Sequence, residues 1–169
     1  MESVIRGKVY RFGDNVNSDI IIAGRYLIYI EPAKLAEHAF EVLGPEVQKA
    51  LRGYDIFVAG RNFGCGSARE QAATAILGLG VKAVVACSFA RTFYRNAINS
   101  GLPIVECPAL YEAVRQDEEI TIGLGSGSIT CGSKEYSFPK FPDSMRQLLE
   151  LGGLAAYLKK SVEKRGSET

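Results

Sequence analysis

Three short apolar runs, separated by two longer segments with helical patterning, constrain the fold of this chain most strongly. The apolar runs cover residues 56–59, 83–86 and 102–105, and helices are predicted at 67–79 and 89–99. Strands that alternate with helices form parallel sheets through right-handed crossovers. The sequence therefore predicts an α/β fold with a βαβαβ centre.

The segments on either side of this centre predict shorter elements. Before it, the predictions are a strand at 4–12, a turn-rich loop at 13–19 and a helix opened by Pro32 and running through Phe40. After it, they are short strands at 120–122, 128–131 and 135–138, a last helix at 144–160 interrupted by two glycines, and a frayed polar tail at 163–169. With no internal repeat and no long linker, residues 1–169 are interpreted as one domain.

Composition excludes several classes of function. The chain has 169 residues, 47% of them hydrophobic and 23% charged, and a formal net charge of +1. A chain so balanced in charge is not expected to bind nucleic acid or an anionic membrane as its main partner. No signal peptide follows Met1 and no apolar stretch is long enough to span a bilayer. We therefore expect a cytoplasmic protein with reduced thiols.

The cysteines and the single histidine limit the chemistry further. No two of the four cysteines form a C-x-x-C pair, since they lie at Cys65, Cys87, Cys107 and Cys131. A metal or iron–sulfur site held by this chain alone is therefore not expected. One histidine makes a serine-hydrolase triad improbable, and His38 is interpreted as a surface helix residue. Any metal would have to be supplied by another chain.

The glycine-rich loop at 60–70 carries the strongest functional signal. It follows a buried strand, at the edge where ligands bind in open α/β sheets. Gly64 and Gly66 permit a close backbone approach, Ser67 is predicted near a helix N-terminus, and Arg69 offers forked donors for a carboxylate or phosphate. The alternatives are that Ser67 is only a helix cap and Arg69 a solvated charge, or that Cys65 is a nucleophile.

Residues 60–70, GRNFGCGSARE, closely resemble the signature loop of the aconitase-superfamily swivelling domain. More narrowly, they resemble the small subunits of isopropylmalate dehydratases. Residues 13–21, GDNVNSDII, and residues 88–101, SFARTFYRNAINSG, match the same family. The similarity runs in order from about residue 4 to residue 160, so it covers nearly all of the chain. The resemblance implies a single swivelling β/β/α domain like the C-terminal domain of aconitase.

The resemblance also implies an activity in leucine biosynthesis. Members of the family isomerise a hydroxy acid by removing water and adding it back at the neighbouring carbon, and a separate large subunit holds a 4Fe-4S cluster. By resemblance, Ser67 matches the catalytic base and Arg69 the substrate-carboxylate binder. Gly66 belongs to the same loop, and Asp19 and Arg25 lie in the second substrate-facing segment. The expected assembly is a heterodimer or heterotetramer, without a metal on this chain.

A serine base needs help, because its hydroxyl is neutral at pH 7. A helix terminus and a charge-assisted hydrogen bond together supply roughly 2–5 kcal/mol, which moves a pKa by only a few units. We therefore expect this subunit to be inactive until a partner excludes water from the site.

Substrate choice is predicted to lie in residues 26–29, YLIY, and within them at Ile28. By resemblance, homoaconitase-like members of the family carry an arginine at the position of Ile28, whereas the apolar side chain found in this sequence suits an isopropyl or methyl group. Isopropylmalate is favoured over citramalate- or citraconate-type acids and over homoaconitate. Two other interpretations stay open: that 26–30 is a plain strand, and that the chain is a stand-alone anion-binding regulatory module. Arg91 and Arg95 are predicted either to support the site or subunit interface, or to form a solvated helix face.

Overall fold

The computed structural model describes residues 4–67 and 69–167 as a seven-stranded mixed sheet with helices packed against it. The strands lie in the order β4-β3-β2-β1-β5-β6-β7. They are β1 Val4–Arg11, β2 Ile56–Ala59, β3 Ala83–Ala86, β4 Ile104–Glu106, β5 Glu119–Gly123, β6 Ser128–Cys131 and β7 Lys134–Ser137. The helices are α1 Ser18–Ile21, α2 Pro32–His38, α3 Pro45–Leu51, α4 Glu70–Gly78, α5 Arg91–Ser100, α6 Pro108–Ala113, α7 Asp143–Glu150 and α8 Leu154–Gly166. Two single 3-10 turns lie at Gly24–Tyr26 and Glu41–Leu43.

The predicted parallel centre is confirmed. β2 pairs with β3 and β3 with β4 in parallel, and β1 adds a further parallel neighbour on the other side of β2. All residues of β2 and β3 are buried, as expected where apolar runs are covered on both faces. The connections through α4 and α5 bring the loops after β1, β2 and β3 to one edge of the sheet.

The remaining strands form an antiparallel half. β1 pairs antiparallel with β5, and β6 and β7 follow as hairpin-connected neighbours. β1 is therefore shared between the two halves. Residue pairs such as Ile5–Ile122 set its register to β5, while Val9–Ile56 sets its register to β2.

The largest differences from the predicted boundaries lie at the start of α4 and at the C-terminal end of the chain. α4 begins at Glu70 rather than at residue 67, because Arg69 has extended dihedrals (φ −118°, ψ 116°). The predicted interruption of the last helix is confirmed, since the segment forms two helices, α7 and α8, separated by Gly152 and Gly153 in positive-φ conformations. α8 continues to Gly166, so most of the segment predicted as a frayed tail is helical, and residues 168–169 lie outside the described residues.

Two short helices were absent from the prediction, and one predicted loop is partly helical. α3 and α6 each begin at a proline, Pro45 or Pro108, at the first helical position. In the predicted loop 13–19, Ser18 and Asp19 start α1, which Asn17 caps by accepting from the Ile20 N–H at 2.9 Å. Within the described ranges, no helix is long and apolar enough to cross a membrane.

Candidate active site

Two loops lie side by side at the carboxyl edge of the parallel strands. One follows β1 and the other, the glycine-rich loop, follows β2. Backbone hydrogen bonds tie the two loops along their length: Gly60 N to Gly13 O (3.0 Å), Asn15 N to Arg61 O (2.8 Å), Gly64 N to Val16 O (2.7 Å) and Ser18 N to Cys65 O (2.8 Å). The two loops therefore form one platform, and the residues that the sequence analysis assigned to separate motifs become neighbours.

Gly64 sets how closely this platform packs on α5. Its φ is +80°, and a Cβ built on it would lie 2.2 Å from the ring of Phe93. A side chain at this position would be strained by its backbone and would also overlap a buried ring. The glycine thus seats the loop on the aromatic cluster of Phe63, Phe89 and Phe93.

Ser67 lies on the exposed side of the platform, three residues before α4 begins. The interpretation of Ser67 as the N-cap of this helix is wrong, because Arg69 occupies that position and no side chain caps it. The effect of a helix dipole is confined to the first turn of the helix. The dipole of α4 therefore stabilises negative charge on the Ser67 oxygen less than the sequence predicted. The exposed hydroxyl is accessible to a substrate.

Arg69 makes the central ion pair of the site. Its Nη1 lies 2.5 Å from Asp19 Oδ1 and donates to the Ile22 carbonyl at 3.1 Å. The Arg69 side chain is only 18% exposed, whereas that of Asp19 is 61% exposed. The interpretation of Arg69 as a solvated helix charge is wrong, because the guanidinium is anchored at the junction of α1 and α4. The fold thus brings together two predicted site residues, Asp19 from the segment after β1 and Arg69 from the glycine-rich loop.

Arg25 lies beyond Asp19 along a shared surface cleft. The cleft has a volume of about 360 Å³ and is lined by Asp19, Ile20, Ala23, Arg25, Glu41 and Val42. Arg25 Nη2 is 3.5 Å from Glu41 Oε2, and its guanidinium lies over the Tyr26 ring. Contact with Tyr26 and the charge of Glu41 raise the pKa of Arg25, so this group remains cationic. The cleft offers a cation and two carboxylates around a small volume.

Comparison with known proteins identifies the family. Residues 31–109 match the aconitase C-terminal domain model. The chain is 48% identical over 164 residues to the 3-isopropylmalate dehydratase small subunit of Aliarcobacter butzleri, covering 96% of this chain and 98% of the relative. This chain belongs to the family of 3-isopropylmalate dehydratase small subunits. The fold matches a crystal structure described as 3-isopropylmalate dehydratase (leuD) from Methanocaldococcus jannaschii, with a TM-score of 0.88 and 38% identity over 99% of this chain and all of that one.

Other similar members of the family carry different substrate names. The isopropylmalate/citramalate isomerase small subunit of Methanocaldococcus jannaschii is 44% identical, covering 96% of this chain and 98% of the relative. The methanogen homoaconitase small subunit of Methanothermobacter thermautotrophicus is 49% identical, covering 96% and 95%. Overall identity therefore does not separate the substrates, and the distinction has to come from individual residues.

Ile28 is the most exposed large apolar residue near the site, with 79% of its surface accessible. The segment around it is a 3-10 turn and loop, so the interpretation of 26–30 as a plain strand is wrong. Both tyrosines of the loop pack on His38. The Tyr26 ring stacks on the imidazole with the ring centroids 3.8 Å apart and the ring planes at 6°, and the Tyr29 ring centroid lies 6.0 Å from the imidazole centroid. In this member of the family, Ile28 thus projects from an anchored loop.

Three residues next to the site were not predicted to lie there from the sequence: His38, Glu41 and Ser18. His38 lies at the end of α2 but packs on the loop, and its Nδ1 is 3.9 Å from Glu41 Oε2. The sequence predicted that His38 lies on a helix. It could not predict the stacking on Tyr26, because a contact between residues twelve apart follows no helical or strand period. Gln71 adds a further tie from α4 by donating to the Leu27 carbonyl at 3.3 Å.

Arg91 and Arg95 lie elsewhere on the molecule. Both are exposed on α5 and line a cleft of about 480 Å³ with Tyr94, Ile98 and Met145. The described lining of this cleft does not include Asp19, Ser67 or Arg69. The two arginines thus line a separate cleft, and their role in supporting the site or a subunit interface stays a prediction.

The described residues of this chain do not fit an iron–sulfur cluster. Among residues 4–67 and 69–167, no group of three or more His, Cys, Asp or Glu side chains could hold a metal ion. Burial raises the pKa of the thiols of Cys87 and Cys131, which disfavours the thiolate that metal binding requires. Cys65 lies in the glycine-rich loop as a free, half-buried cysteine.

Proposed function

We propose that this chain is the small subunit of a hydro-lyase that interconverts 2- and 3-isopropylmalate by dehydration and rehydration. The observation that carries the proposal is the single platform that joins Ser67, Gly66, Arg69 and Asp19, in a chain related over 96% of its length to a subunit of that name. Such a reaction places the chain in leucine biosynthesis and suits a cytoplasmic location.

Ser67 would accept the proton in this reaction. As an alkoxide, Ser67 Oγ would take this proton from the carbon beside a carboxylate, and the C–H electron pair would form the double bond. The hydroxyl on the neighbouring carbon would leave with its C–O electron pair and become water by taking up a proton from solvent or from the partner subunit. An exposed serine in a lone subunit is a poor base, because bulk water solvates its surroundings. A large subunit closing over the platform would exclude that water and strengthen every electrostatic contact within it.

Arg69 would bind a substrate carboxylate. Asp19 and the Ile22 carbonyl both engage Nη1, which fixes the plane of the guanidinium. Among the described residues, the other N–H groups of Arg69 have no hydrogen-bond partner, so they would form the paired hydrogen bonds that suit a carboxylate. Gly66 leaves room for the substrate beside the backbone, and Arg25 offers a second cation in the adjoining cleft.

Ile28 would contact the isopropyl group. An exposed isoleucine on an anchored loop gives a partner-enclosed site an apolar wall, and such a contact is worth about 1–3 kcal/mol of selectivity. Homoaconitate or a citramalate-type acid is the alternative substrate, supported by the relatives of that name at 49% and 44% identity.

The cluster of the enzyme would lie on the large subunit, because the described residues here do not fit it. The naming of the relatives as small subunits supports a large-subunit partner. We expect a heterodimer or a heterotetramer, formed without nucleic acid or membrane.

Anaerobic reconstitution with a cluster-loaded large subunit tests the function. The isolated chain is expected to be inactive and the heteromer to hydrate isopropylmaleate faster than citraconate, homoaconitate or cis-aconitate. Ser67→Ala is expected to lower kcat by roughly 10²–10⁴-fold, the usual contribution of a general base, without changing assembly in gel filtration. Ser133→Ala, in the exposed turn between β6 and β7, is the matched control.

Two outcomes would contradict these assignments. A Ser67→Ala heteromer that retains wild-type kcat would remove Ser67 as the base. A wild-type heteromer that processes none of the four acids, while the isolated chain binds carboxylates, would favour the stand-alone anion-binding module.

A further inference from the structure

Ser18 has a buried hydroxyl that the resting subunit does not use. Among the residues that the structure describes, Ser18 is the one polar residue in the buried core, and only 1% of it is exposed. Within residues 4–67 and 69–167, the Oγ atom has no hydrogen-bond partner. A buried hydroxyl without a partner costs free energy, because it gives up hydrogen bonds to water and gains none.

The unused hydroxyl lies against the backbone that leads to Ser67. The Ser18 N–H donates to the Cys65 carbonyl at 2.8 Å, so residue 18 is already attached to the glycine-rich loop. A Cβ built on Gly66 would have Ser18 Oγ as its nearest neighbour, at 3.4 Å. The hydroxyl is therefore beside the residue that immediately precedes the proposed base.

The backbone at Gly66 is less tightly packed than the backbone at Gly64. The φ of Gly66 is +93°, and the contacts around its Cβ position are at ordinary packing distance. Gly64, two residues earlier, is instead wedged against Phe93. The loop is thus tightly packed at Gly64 and less tightly packed at Gly66, and Ser18 faces Gly66.

We propose that Ser18 is a positioning residue whose hydroxyl hydrogen-bonds the backbone of residues 66–67 once the large subunit is bound. This bond directs the Ser67 side chain towards the substrate. The inference rests on the proposed function of Ser67. Ser18 touches neither substrate nor cofactor, and it acts through the loop.

The isolated subunit gives the first test. Ser18→Ala removes a hydroxyl that has no partner there, so its Tm is expected to equal or exceed that of the wild type. A clear fall in Tm would mean that the hydroxyl already stabilises the resting fold, and this would overturn the proposal. Ser133→Ala, at an exposed turn, controls for the change of serine to alanine.

The reconstituted heteromer gives the second test. Ser18→Ala is expected to lower kcat about tenfold while KM changes less than twofold, because the hydroxyl acts on residues 66–67, whereas Arg69 is held separately by Asp19 and the Ile22 carbonyl. Ser18→Thr, which keeps the hydroxyl, is expected to recover most of the kcat. An unchanged kcat in Ser18→Ala, or a kcat that Thr and Ala lower equally in stably folded heteromers, would overturn the role.

Hydrogen exchange separates this inference from the proposed function. In the wild-type heteromer without substrate, amides in the peptide covering residues 64–70 are expected to exchange more slowly than in the Ser18→Ala heteromer. In the isolated subunits the same peptide is expected to exchange equally. An inactive wild-type heteromer would contradict the function, whereas equal exchange in the two heteromers would contradict the hydrogen bond of Ser18.

Discussion

The ion pair between Arg69 and Asp19 changes how the proposed site is understood at the level of single residues. Each residue was predicted to contact the substrate, and in the structure each contacts the other at 2.5 Å. A carboxylate that holds an arginine in place prevents the long side chain from collapsing onto other acceptors. Asp19 therefore prepares Arg69 for a substrate carboxylate as well as lining the cleft.

Ile28→Arg is expected to change which acid is preferred. The substitution removes an apolar contact and places a cation where an additional substrate carboxylate would lie. In the reconstituted enzyme, the ratio of kcat/KM for homoaconitate to that for isopropylmalate is expected to rise by roughly 10–200-fold. Steady-state kinetics on both acids measures the ratio.

Ile30→Arg is the matched control for that experiment. Ile30 is 76% exposed, close to the 79% of Ile28, and lies two residues further along the same segment. It introduces the same charge at nearly the same exposure. Equal shifts in the two variants would show that net charge, and not the position of Ile28, governs the preference.

Among the secondary-structure elements, regular patterns could be predicted and irregular ones could not. The bounds of β2 and β3 follow directly from their apolar runs, since buried parallel strands need apolar residues at every position. The start of α4 could not be predicted in the same way. Ser67 is a good capping residue, but the structure puts Arg69 at the N-cap, after a loop whose Gly64 and Cys65 are hydrogen-bonded to the connection that follows β1.

The segment 24–30 shows the same limit. Its apolar residues suggested a strand, yet it pairs with no described strand and is held by side chains from α2 and α4. A histidine that stacks on a tyrosine twelve residues earlier depends on how α2 packs. Such tertiary contacts decide irregular structure and leave no period in the sequence.

His38→Ala is expected to loosen this segment, because it removes the stacking surface for Tyr26 and Tyr29. An aromatic pair contributes about 0.5–1.5 kcal/mol, which corresponds to roughly 2- to 12-fold faster amide exchange in residues 24–30. His38→Phe keeps a flat ring and is expected to stay near the wild-type rate. If Phe and Ala were equally fast, ring stacking would not be what holds the segment.

Over the whole molecule, β1 joins the parallel half of the sheet to the antiparallel half. Asp55 attaches β1 to the parallel half. Asp55 Oδ2 accepts the Lys8 N–H of β1 at 3.1 Å, and Oδ1 lies 3.0 Å from Lys82 Nζ, just before β3. Gly7 makes room for it, since a Cβ there would lie 2.2 Å from Asp55 Cβ. One carboxylate thus connects β1, β2 and β3.

This arrangement predicts an acid-sensitive fold. The Lys8 N–H, and then Lys82, lower the pKa of Asp55 in the folded chain, although partial burial opposes them. A carboxyl whose folded pKa is depressed stabilises the fold above its unfolded pKa of about 3.9, and this stabilisation is lost as pH falls through the folded pKa. The free-energy gap between wild type and Asp55→Asn, from urea unfolding, should therefore be largest near neutral pH.

That gap is expected to shrink between about pH 5 and pH 3, because protonated Asp55 and asparagine carry the same charge. Glu135→Gln removes one negative charge from the edge strand β7 and serves as the control for net charge. If the gap stayed constant from pH 7 to pH 3, the amide hydrogen bond alone would attach β1 to the parallel half. If it followed Glu135→Gln at every pH, the effect would belong to the overall charge of the protein and not to the connection between β1, β2 and β3.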